Sequence, residues 1–296
     1  MADARYFDPA GLARVGNLEL VSRQVVEGFL TGRHRSPYHG FSVEYLDHRP
    51  YVPGDEIRSL DWKILARTDK YHVKLFQDET NLRAYILLDC SRSMGFKSGA
   101  MSKLEYGSYL AAALTHLMLR QNDAVGLVLF DTHIRHYLPP RARPTQFRRV
   151  LDALEHPAVG GETDVGEVLH DVAERIKRRG LVIVISDLID DEAKVSNGLQ
   201  HFRHNKHEVV VFHVMDDAEL TFPYDRLTHF KDMEGVATVV ANPKSLRTRY
   251  LERIGRFTER MKTECFQRKI SYALANTSQP YDSLLAEYLD KRSRVG

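Results

Sequence analysis

Several short apolar runs that end abruptly in polar residues constrain the fold of this chain more than any other feature of its sequence. The runs cover residues 84–89, 125–130, 181–185 and 209–214, and the first of them ends in an aspartate. Unbroken apolar runs of this length are typical of strands that are buried on both faces of a parallel sheet. Each run therefore predicts a central strand.

The segments between these runs repeat apolar residues every three or four positions, as one face of an amphipathic helix does. Helices are predicted at residues 10–30, 103–120, 145–155, 165–179, 245–267 and 281–289, and further strands at 134–138 and 270–275. Strands that alternate with helices build a parallel sheet with helices on both faces. We predict an α/β fold, a three-layer, doubly wound and mainly parallel sheet of about six strands.

The composition is that of an ordinary soluble globular protein, with 296 residues, 43% hydrophobic and 28% charged. The formal net charge of +2 gives no electrostatic reason to expect nucleic acid or an anionic membrane as a partner. Two cysteines, Cys90 and Cys265, are too few for a disulfide framework and indicate a reducing compartment. Because no signal-peptide pattern and no membrane-spanning apolar run is present, we expect a cytoplasmic protein without a membrane span.

Residues 34–80 form a polar and aromatic stretch that contains the only tryptophan of the chain. A tryptophan among many charges is typical of a packed polar network. Two interpretations stay open: a salt-bridged lid on the main domain, or a partner-docking surface that includes Arg58, Asp61 and Trp62. We therefore expect residues 1–81 to form an N-terminal helix and extension packed on a main domain of residues 82–296.

Oxygen-bearing side chains follow the first buried strand at alternate positions, namely Asp89, Ser91 and Ser93. A carboxylate and two hydroxyls are hard donors, which suit Mg²⁺ or Mn²⁺ better than zinc or copper. Open α/β sheets bind ligands at the carboxyl ends of their strands, where these donors are expected to lie. The Asp-x-Ser-x-Ser spacing by itself also fits an ordinary self-capped turn.

Two later segments add donors at the same predicted edge. The run 181–185 leads to Asp187, and Thr163 directly precedes a predicted helix start. There Asp164 and Glu167 have the spacing of a reciprocal capping box, which leaves the hydroxyl of Thr163 available. The expected constellation, from loops on one edge of one sheet, is Asp89, Ser91, Ser93, Thr163 and Asp187.

This arrangement, over about residues 82–277, resembles the von Willebrand factor type A domain and its metal-ion-dependent adhesion site. In that family an Asp-x-Ser-x-Ser loop, a threonine of a second loop and an aspartate of a third hold Mg²⁺. A carboxylate of a binding partner completes the coordination. The resemblance implies a Rossmann-like topology and a metal held by the five residues of the constellation.

A longer pattern resembles the bacterial domain of unknown function 58 and covers nearly the whole chain. The pattern consists of Arg49-Pro-Tyr51, Gly54-Asp55, Arg58, Asp61-Trp62, Ala66-Arg67 and the segment 74–79, followed by the metal motif. Proteins of that family are often encoded beside MoxR-type AAA+ ATPases and are thought to act with them in chaperone-like assembly. The resemblance implies such an ATPase as partner, and this chain resembles the short soluble type in the family.

The function expected from these features is that of a non-enzymatic, Mg²⁺-dependent protein-interaction module that grips an acidic side chain of its partner. We predict that Arg92, inside the metal motif, points outward and helps to select that partner. The alternative is a Mg²⁺-dependent phosphohydrolase with Asp89 as nucleophile. Haloacid-dehalogenase-type sites carry a second aspartate where this chain has Ser91, which cannot act as an acid–base group at neutral pH.

Overall fold

A computed structural model of the chain describes residues 17–32, 48–52, 65–67, 70–74, 82–155, 164–231, 238–281 and 284–285. The chain divides into two compact units, one of Arg35–Asn81 and one of Met1–His34 with Leu82–Gly296. The larger unit thus includes the N-terminal helix, which the sequence analysis grouped with residues 34–80. The packing of residues 35–81 on the main domain stays a prediction.

The described helices of eight or more residues, and one short helix, are numbered in chain order. They are α1 (Leu18–Gly32), α2 (Lys103–Arg120), α3 (Pro144–Glu155), α4 (Val165–Arg175), α5 (Glu192–His204), the short α6 (Asp217–Thr221) and α7 (Pro243–Gln267). None of these described helices is both long enough and apolar enough to cross a bilayer.

The described strands fall into three sheets. They are β1 (His48–Pro50), β2 (His72–Lys74), β3 (Arg83–Asp89), β4 (Ala124–Phe130), β5 (Ile134–Arg141), β6 (Leu181–Ser186), β7 (Glu208–Met215), β8 (Thr228–Lys231), β9 (Thr238–Ala241) and β10 (Ser271–Asn276). In the smaller unit β1 pairs with β2, and in the larger unit β8 pairs with β9, both antiparallel.

The other six strands form one central sheet in the order β10-β7-β6-β3-β4-β5. All neighbouring strands are parallel except β5, which runs antiparallel to β4 at one edge. This arrangement confirms the predicted α/β fold with a mainly parallel sheet of six strands. An antiparallel edge strand is a common addition to such sheets.

Helices cover both faces of the central sheet. One apolar cluster joins the sheet to α1, α2 and α3, and the other joins it to α4, α5 and α7. Along β3 the side chains alternate between the two clusters, so that Ile86 and Leu88 belong to the first, and Tyr85 and Leu87 to the second. The unbroken apolar runs of the sequence follow from this burial on both faces.

The chain reverses its direction of winding at β3. It passes from β3 to β4 and β5 on one side and then returns to β6 on the other side of β3. The carboxyl ends of β3 and β6 therefore flank a topological switch point, where open α/β sheets leave a crevice for ligands. Asp89 ends β3 and Ser186 ends β6 at this point.

Two predicted helices and one helix that was not predicted differ from the sequence-based expectation or lie outside the described residues. The predicted helix 165–179 was too long, because α4 ends at Arg175 and Ile176 already has extended backbone (φ −81°, ψ 96°). The sequence analysis also missed α5, a 13-residue helix that follows β6. The predicted closing helix at 281–289 lies largely outside the described residues.

Candidate metal centre

Four of the predicted metal ligands lie together at the carboxyl edge of β3 and β6. Asp89 is the last residue of β3, while Ser91 and Ser93 lie in the loop that follows. Asp187 directly follows β6. All four are buried, and Ser93, with 7% exposure, is the most accessible of them.

Of the remaining predicted residues, the structure describes only Arg92. Thr163, together with Arg58, Asp61 and Trp62, lies outside the described residues. Next to Thr163, Asp164 caps α4, since its Oδ1 accepts a hydrogen bond from the Glu167 backbone N–H at 3.3 Å. This is one half of the predicted reciprocal capping box. Arg92 is exposed, between the buried Ser91 and Ser93.

The carboxylate of Asp89 is oriented by one hydrogen bond to each oxygen. The backbone N–H of Ser91 donates to Oδ1 at 2.9 Å, and the hydroxyl of Ser186 donates to Oδ2 at 2.6 Å. The hydroxyl oxygens of Ser91 and Ser93 lie 3.0 Å apart. The end of β3 and the loop after it therefore bring a carboxylate and two hydroxyls into one compact group, and Ser186 at the end of β6 contacts it.

Asp89 and Asp187 lie close enough for their charges to oppose each other. Burial, and in addition the charge of Asp187, raises the pKa of Asp89 to about 7. Two carboxylates that share a buried site disfavour the ionised form of one of them unless positive charge is supplied. This pair can therefore accept a cation.

A buried lysine already supplies one positive charge. Lys103, the first residue of α2, is fully buried, and its Nζ lies 2.7 Å from Asp187 Oδ2 and 2.9 Å from Glu219 Oε1. Burial lowers the pKa of Lys103, but the two carboxylates outweigh that effect and raise the pKa above its ordinary value. Burial alone would raise the pKa of Asp187, but the charge and hydrogen bond of Lys103 have the larger effect. The net result is a pKa of Asp187 below its ordinary value. Lys103 is therefore an ammonium paired with an ionised Asp187.

Sequence reasoning missed Lys103 and Glu219, although one signal was present. A lysine in the first turn of a helix opposes the positive end of the helix dipole. Ser102 and Glu105, which form a reciprocal capping box, mark that helix start. A cation at such a position indicates a specific acidic partner. The two partners, Asp187 and Glu219, lie 84 and 116 residues from Lys103 in the sequence.

Asp216 connects this centre to the ends of β7 and β10. It forms the capping box of α6 with Glu219, whose carboxylate accepts from the Asp216 backbone N–H at 2.8 Å. Ser98 donates to Asp216 through its backbone N–H at 3.2 Å and through its hydroxyl. Thr277 donates to the same carboxylate at 3.3 Å. Asp216 therefore ties the loop after the metal motif to the neighbouring strand ends.

His213 is a fully buried neighbour of the centre, aligned with Ser186 in the pairing of β6 with β7. Its Nδ1 lies 2.7 Å from the hydroxyl of Tyr272. Burial lowers the pKa of His213 to about 4, so the ring is neutral at pH 7. His213 therefore adds no positive charge to the aspartates.

The chemistry of the donors fits a hard divalent cation. Within the described ranges, no three His, Cys, Asp or Glu side chains are grouped so that they could hold a metal. A metal here would therefore depend on the hydroxyls of Ser91 and Ser93 as well as on Asp89 and Asp187. Such oxygen donors suit Mg²⁺, which retains several waters and binds few carboxylates.

Several proteins resemble this chain in sequence or in fold. The uncharacterised protein Rv1480 of Mycobacterium tuberculosis is 27% identical over 222 residues, which cover 73% of this chain and 68% of that protein. The uncharacterised protein Mb1516 of Mycobacterium bovis matches to the same extent. The crystal structure of the conserved hypothetical protein BatB from Bacteroides thetaiotaomicron is similar in fold, with a TM-score of 0.51 and 19% identity over 72% of this chain and 99% of that chain.

A family match extends over most of the chain. The model of the family described as protein of unknown function DUF58 matches residues 47–260. The matched region includes β3, β6 and the four grouped donors. The chain therefore belongs to the DUF58 family.

Proposed function

We propose that this protein is a non-enzymatic, Mg²⁺-dependent interaction module whose metal is held at the carboxyl edge of β3 and β6. The observation that carries the proposal is the buried group of hard oxygen donors at the switch point, namely Asp89, Ser91, Ser93 and Asp187. Mn²⁺ has similar ligand preferences and would bind the same donors. When bound, the metal would offer a Lewis-acidic position to a carboxylate from outside.

The strand order supports a comparison with von Willebrand factor type A domains, in which the adhesion site lies at a strand edge of a mainly parallel sheet. By that comparison, Thr163 would add a hydroxyl from a second loop. The hydrogen bonds from Ser91 and Ser186 already orient Asp89. An oriented carboxylate loses less conformational freedom when it binds a cation.

Arg92 supports an acidic partner. It is exposed on the loop that carries the buried donors. A carboxylate that approaches this loop meets a guanidinium group, which binds carboxylates by charge-assisted hydrogen bonds. Arg92 would thus select the partner, and Arg58, Asp61 and Trp62 are proposed as a second docking surface.

The partner that we propose is a MoxR-type AAA+ ATPase, with this protein as its accessory factor in chaperone-like assembly or maturation. Membership of the DUF58 family supports this choice, because genes of the family often stand beside genes of such ATPases. We place the complex in the cytoplasm. The two cysteines, Cys90 and Cys265, are buried and free, as in a reducing compartment.

A Mg²⁺-dependent phosphohydrolase with Asp89 as nucleophile is the weaker alternative. The side chain is fully buried, and both of its oxygens accept hydrogen bonds. An attack on phosphorus would require a substrate to reach this buried side chain. Ser91, which takes the place of an acid–base aspartate, cannot transfer the proton at neutral pH.

The test is a pull-down from native lysate in Mg²⁺ and in EDTA, read by mass spectrometry. We expect the wild-type chain to retain the MoxR-type ATPase only in Mg²⁺. Asp89→Ala and Ser91→Ala should each lower retention by about tenfold or more, because they remove donors that hold or orient the metal. Arg92→Ala should lower retention without changing Mg²⁺ binding, measured by calorimetry.

The control is Asp152→Ala on α3, which removes an exposed carboxylate far along the chain from the donors. It should behave as wild type, and circular dichroism should show the same fold for all variants. If EDTA leaves ATPase retention unchanged, or if Asp89→Ala and Ser91→Ala retain it fully, the metal-dependent module is excluded. The alternative would be established instead if the wild-type chain released phosphate from phosphoester substrates and Asp89→Ala abolished this activity.

A further inference from the structure

Lys103 is a fully buried cation at the edge of the candidate metal centre. Its Nζ bridges Asp187 Oδ2 at 2.7 Å and Glu219 Oε1 at 2.9 Å. A lysine is almost never fully buried unless it is paired. Removing one partner of such a buried group leaves an uncompensated charge and is strongly destabilising. Lys103, Asp187 and Glu219 therefore stabilise this edge of the sheet as one group.

Both carboxylate oxygens of Asp187 accept hydrogen bonds in this arrangement. Its Oδ2 accepts from Lys103, and its Oδ1 accepts from the backbone N–H of Ile189 at 3.2 Å. A divalent cation that binds Asp187 must therefore share Oδ2 with the ammonium, bind Oδ1 of the same carboxylate, or displace the ammonium. Since both are cations in a buried site, where charges are weakly screened, they oppose each other.

Glu219 offers Lys103 a second position. Glu219 is fixed on α6 by its capping box with Asp216, a contact that does not involve Asp187. The ammonium can then remain paired with Glu219 alone. The same capping box connects Glu219 to Ser98, in the loop between the metal motif and α2.

We propose that Lys103 is a built-in counter-ion that competes with the divalent cation for Asp187. Without metal, Lys103 neutralises Asp187 and keeps the edge of the sheet folded. With metal, Asp187 turns to the divalent cation, and Lys103 is held by Glu219. Lys103 thereby makes folding independent of metal and keeps the affinity for metal moderate. This inference rests on the proposed metal-dependent function.

The test is a titration of the full chain with Mg²⁺ alone, by calorimetry, combined with thermal unfolding in Mg²⁺ and in EDTA. Lys103→Met preserves the length of the side chain and removes its charge. We expect at least about tenfold tighter Mg²⁺ binding, because the competing charge is gone. In EDTA, we also expect the melting temperature of Lys103→Met to lie well below that of wild type. In Mg²⁺, the melting temperature should largely recover, because a ligand that binds the folded state stabilises it.

A second pair of variants keeps the test informative if Lys103→Met fails to fold. The double variant Lys103→Met with Glu219→Gln removes the ammonium and one of its two acidic partners, so only Asp187 loses its counter-ion. This double variant should also bind Mg²⁺ more tightly than wild type. Glu219→Gln alone should have the opposite effect. It leaves Lys103 with Asp187 as its only acidic partner, so Mg²⁺ should bind more weakly than to wild type.

The outcomes separate this inference from the proposed function. If wild type binds Mg²⁺ and removing the charge of Lys103 leaves affinity and Mg²⁺-dependent stability unchanged, Lys103 is not a competitor, while the metal centre stands. If only the variants without the lysine bind Mg²⁺, Lys103 is the resident cation, and the Mg²⁺-dependent function is overturned for the native chain. If neither wild type nor variants bind Mg²⁺, both ideas fall.

Discussion

Four aspartates end a strand or follow one at the same edge of the sheet, yet each carboxylate has its own surroundings. Asp89 lies among hydroxyls and backbone N–H groups, Asp187 pairs with Lys103, and Asp216 caps α6. Asp131, after β4, accepts from Arg135 at 2.7 Å. Only Asp89 and Asp187 oppose each other, and this relation marks the candidate centre among the strand ends.

The burial of His207 makes the free energy of unfolding depend on pH. His207 is buried directly before β7, and its Nδ1 accepts from the backbone N–H of Gly180 at 3.2 Å. Burial lowers its pKa, and a hydrogen bond with the backbone of Ile176 offsets only part of that effect. The unfolded chain, in which the pKa is about 6.5, therefore binds the proton more readily.

We expect the stabilisation by neutral His207 to be complete above about pH 6.5 and to decline as the pH falls below that value toward the lowered pKa of the folded state. His207→Gln keeps an acceptor for Gly180 and does not titrate. The free energy of unfolding, from urea titrations between about pH 7.5 and 5, should thus fall less steeply for this variant than for wild type. His136→Gln, on the exposed side of β5, is the control. Equal slopes for all three proteins would contradict the prediction.

At the scale of elements, the sequence predicts what short-range patterns determine. The predicted bounds of α2, 103–120, agree with the structure, because its apolar face repeats at helical spacing and a capping box fixes its start. By contrast, α5 buries only a narrow stripe centred on Val195, Leu199 and Phe202 among polar residues and a glycine, which resembles a loop.

The candidate site divides in the same way. The local spacing of Asp89, Ser91 and Ser93, and the position of Asp187 after a buried run, made these donors predictable. The contacts of Lys103 with Asp187 and Glu219 span 84 and 116 residues, so that no local pattern contains them. The tertiary fold brings these three residues together, from the start of α2, the end of β6 and the short helix α6.

Two glycines allow α4 and α5 to cross at short range. A Cβ on Gly166 would lie 2.5 Å from Lys194 Cβ and 2.7 Å from the Lys194 carbonyl carbon. A Cβ on Gly198 would lie 2.8 Å from the Gly166 carbonyl oxygen. Backbone atoms cannot move aside as the end of a flexible side chain can. This crossing holds the start of α4, where Asp164 pairs with Lys194 at 3.3 Å.

Gly166→Ala should therefore lower the free energy of unfolding by about 1–3 kcal/mol, the usual effect of overpacking. Gly255→Ala is the matched control, because Gly255 lies in α7 and its Cβ would meet no atom within 4 Å. There alanine should raise stability by about 0.5–1 kcal/mol through its better helix propensity. Urea denaturation of both variants provides the measurement. A Gly166→Ala variant as stable as Gly255→Ala would mean that the two helices can separate without loss.

At the scale of the whole molecule, the larger unit is built from two stretches of chain that residues 35–81 separate. Helix α1 contributes Leu18, Val21, Val25 and Val26 to the apolar cluster that also includes α2 and β3. The sheet therefore obtains part of its core from residues that precede the smaller unit in sequence. The chain cannot be cut at residue 82 without exposing that side of the core.

Because α1 shares a core with the central sheet, we predict that a charged side chain buried in α1 destabilises the helix and the sheet together. Val25 is 1% exposed and Leu20 is 46% exposed on the same helix. Val25→Asp buries an unpaired carboxylate and should lower the free energy of unfolding by at least about 3 kcal/mol. Leu20→Asp faces solvent and should change it by no more than about 0.5 kcal/mol. In urea titrations followed by far-ultraviolet circular dichroism, the whole transition of Val25→Asp should move to lower urea, because a single cooperative unit unfolds as one. A small early loss of helix followed by an unchanged main transition would show instead that α1 detaches alone and that the folded core begins at β3.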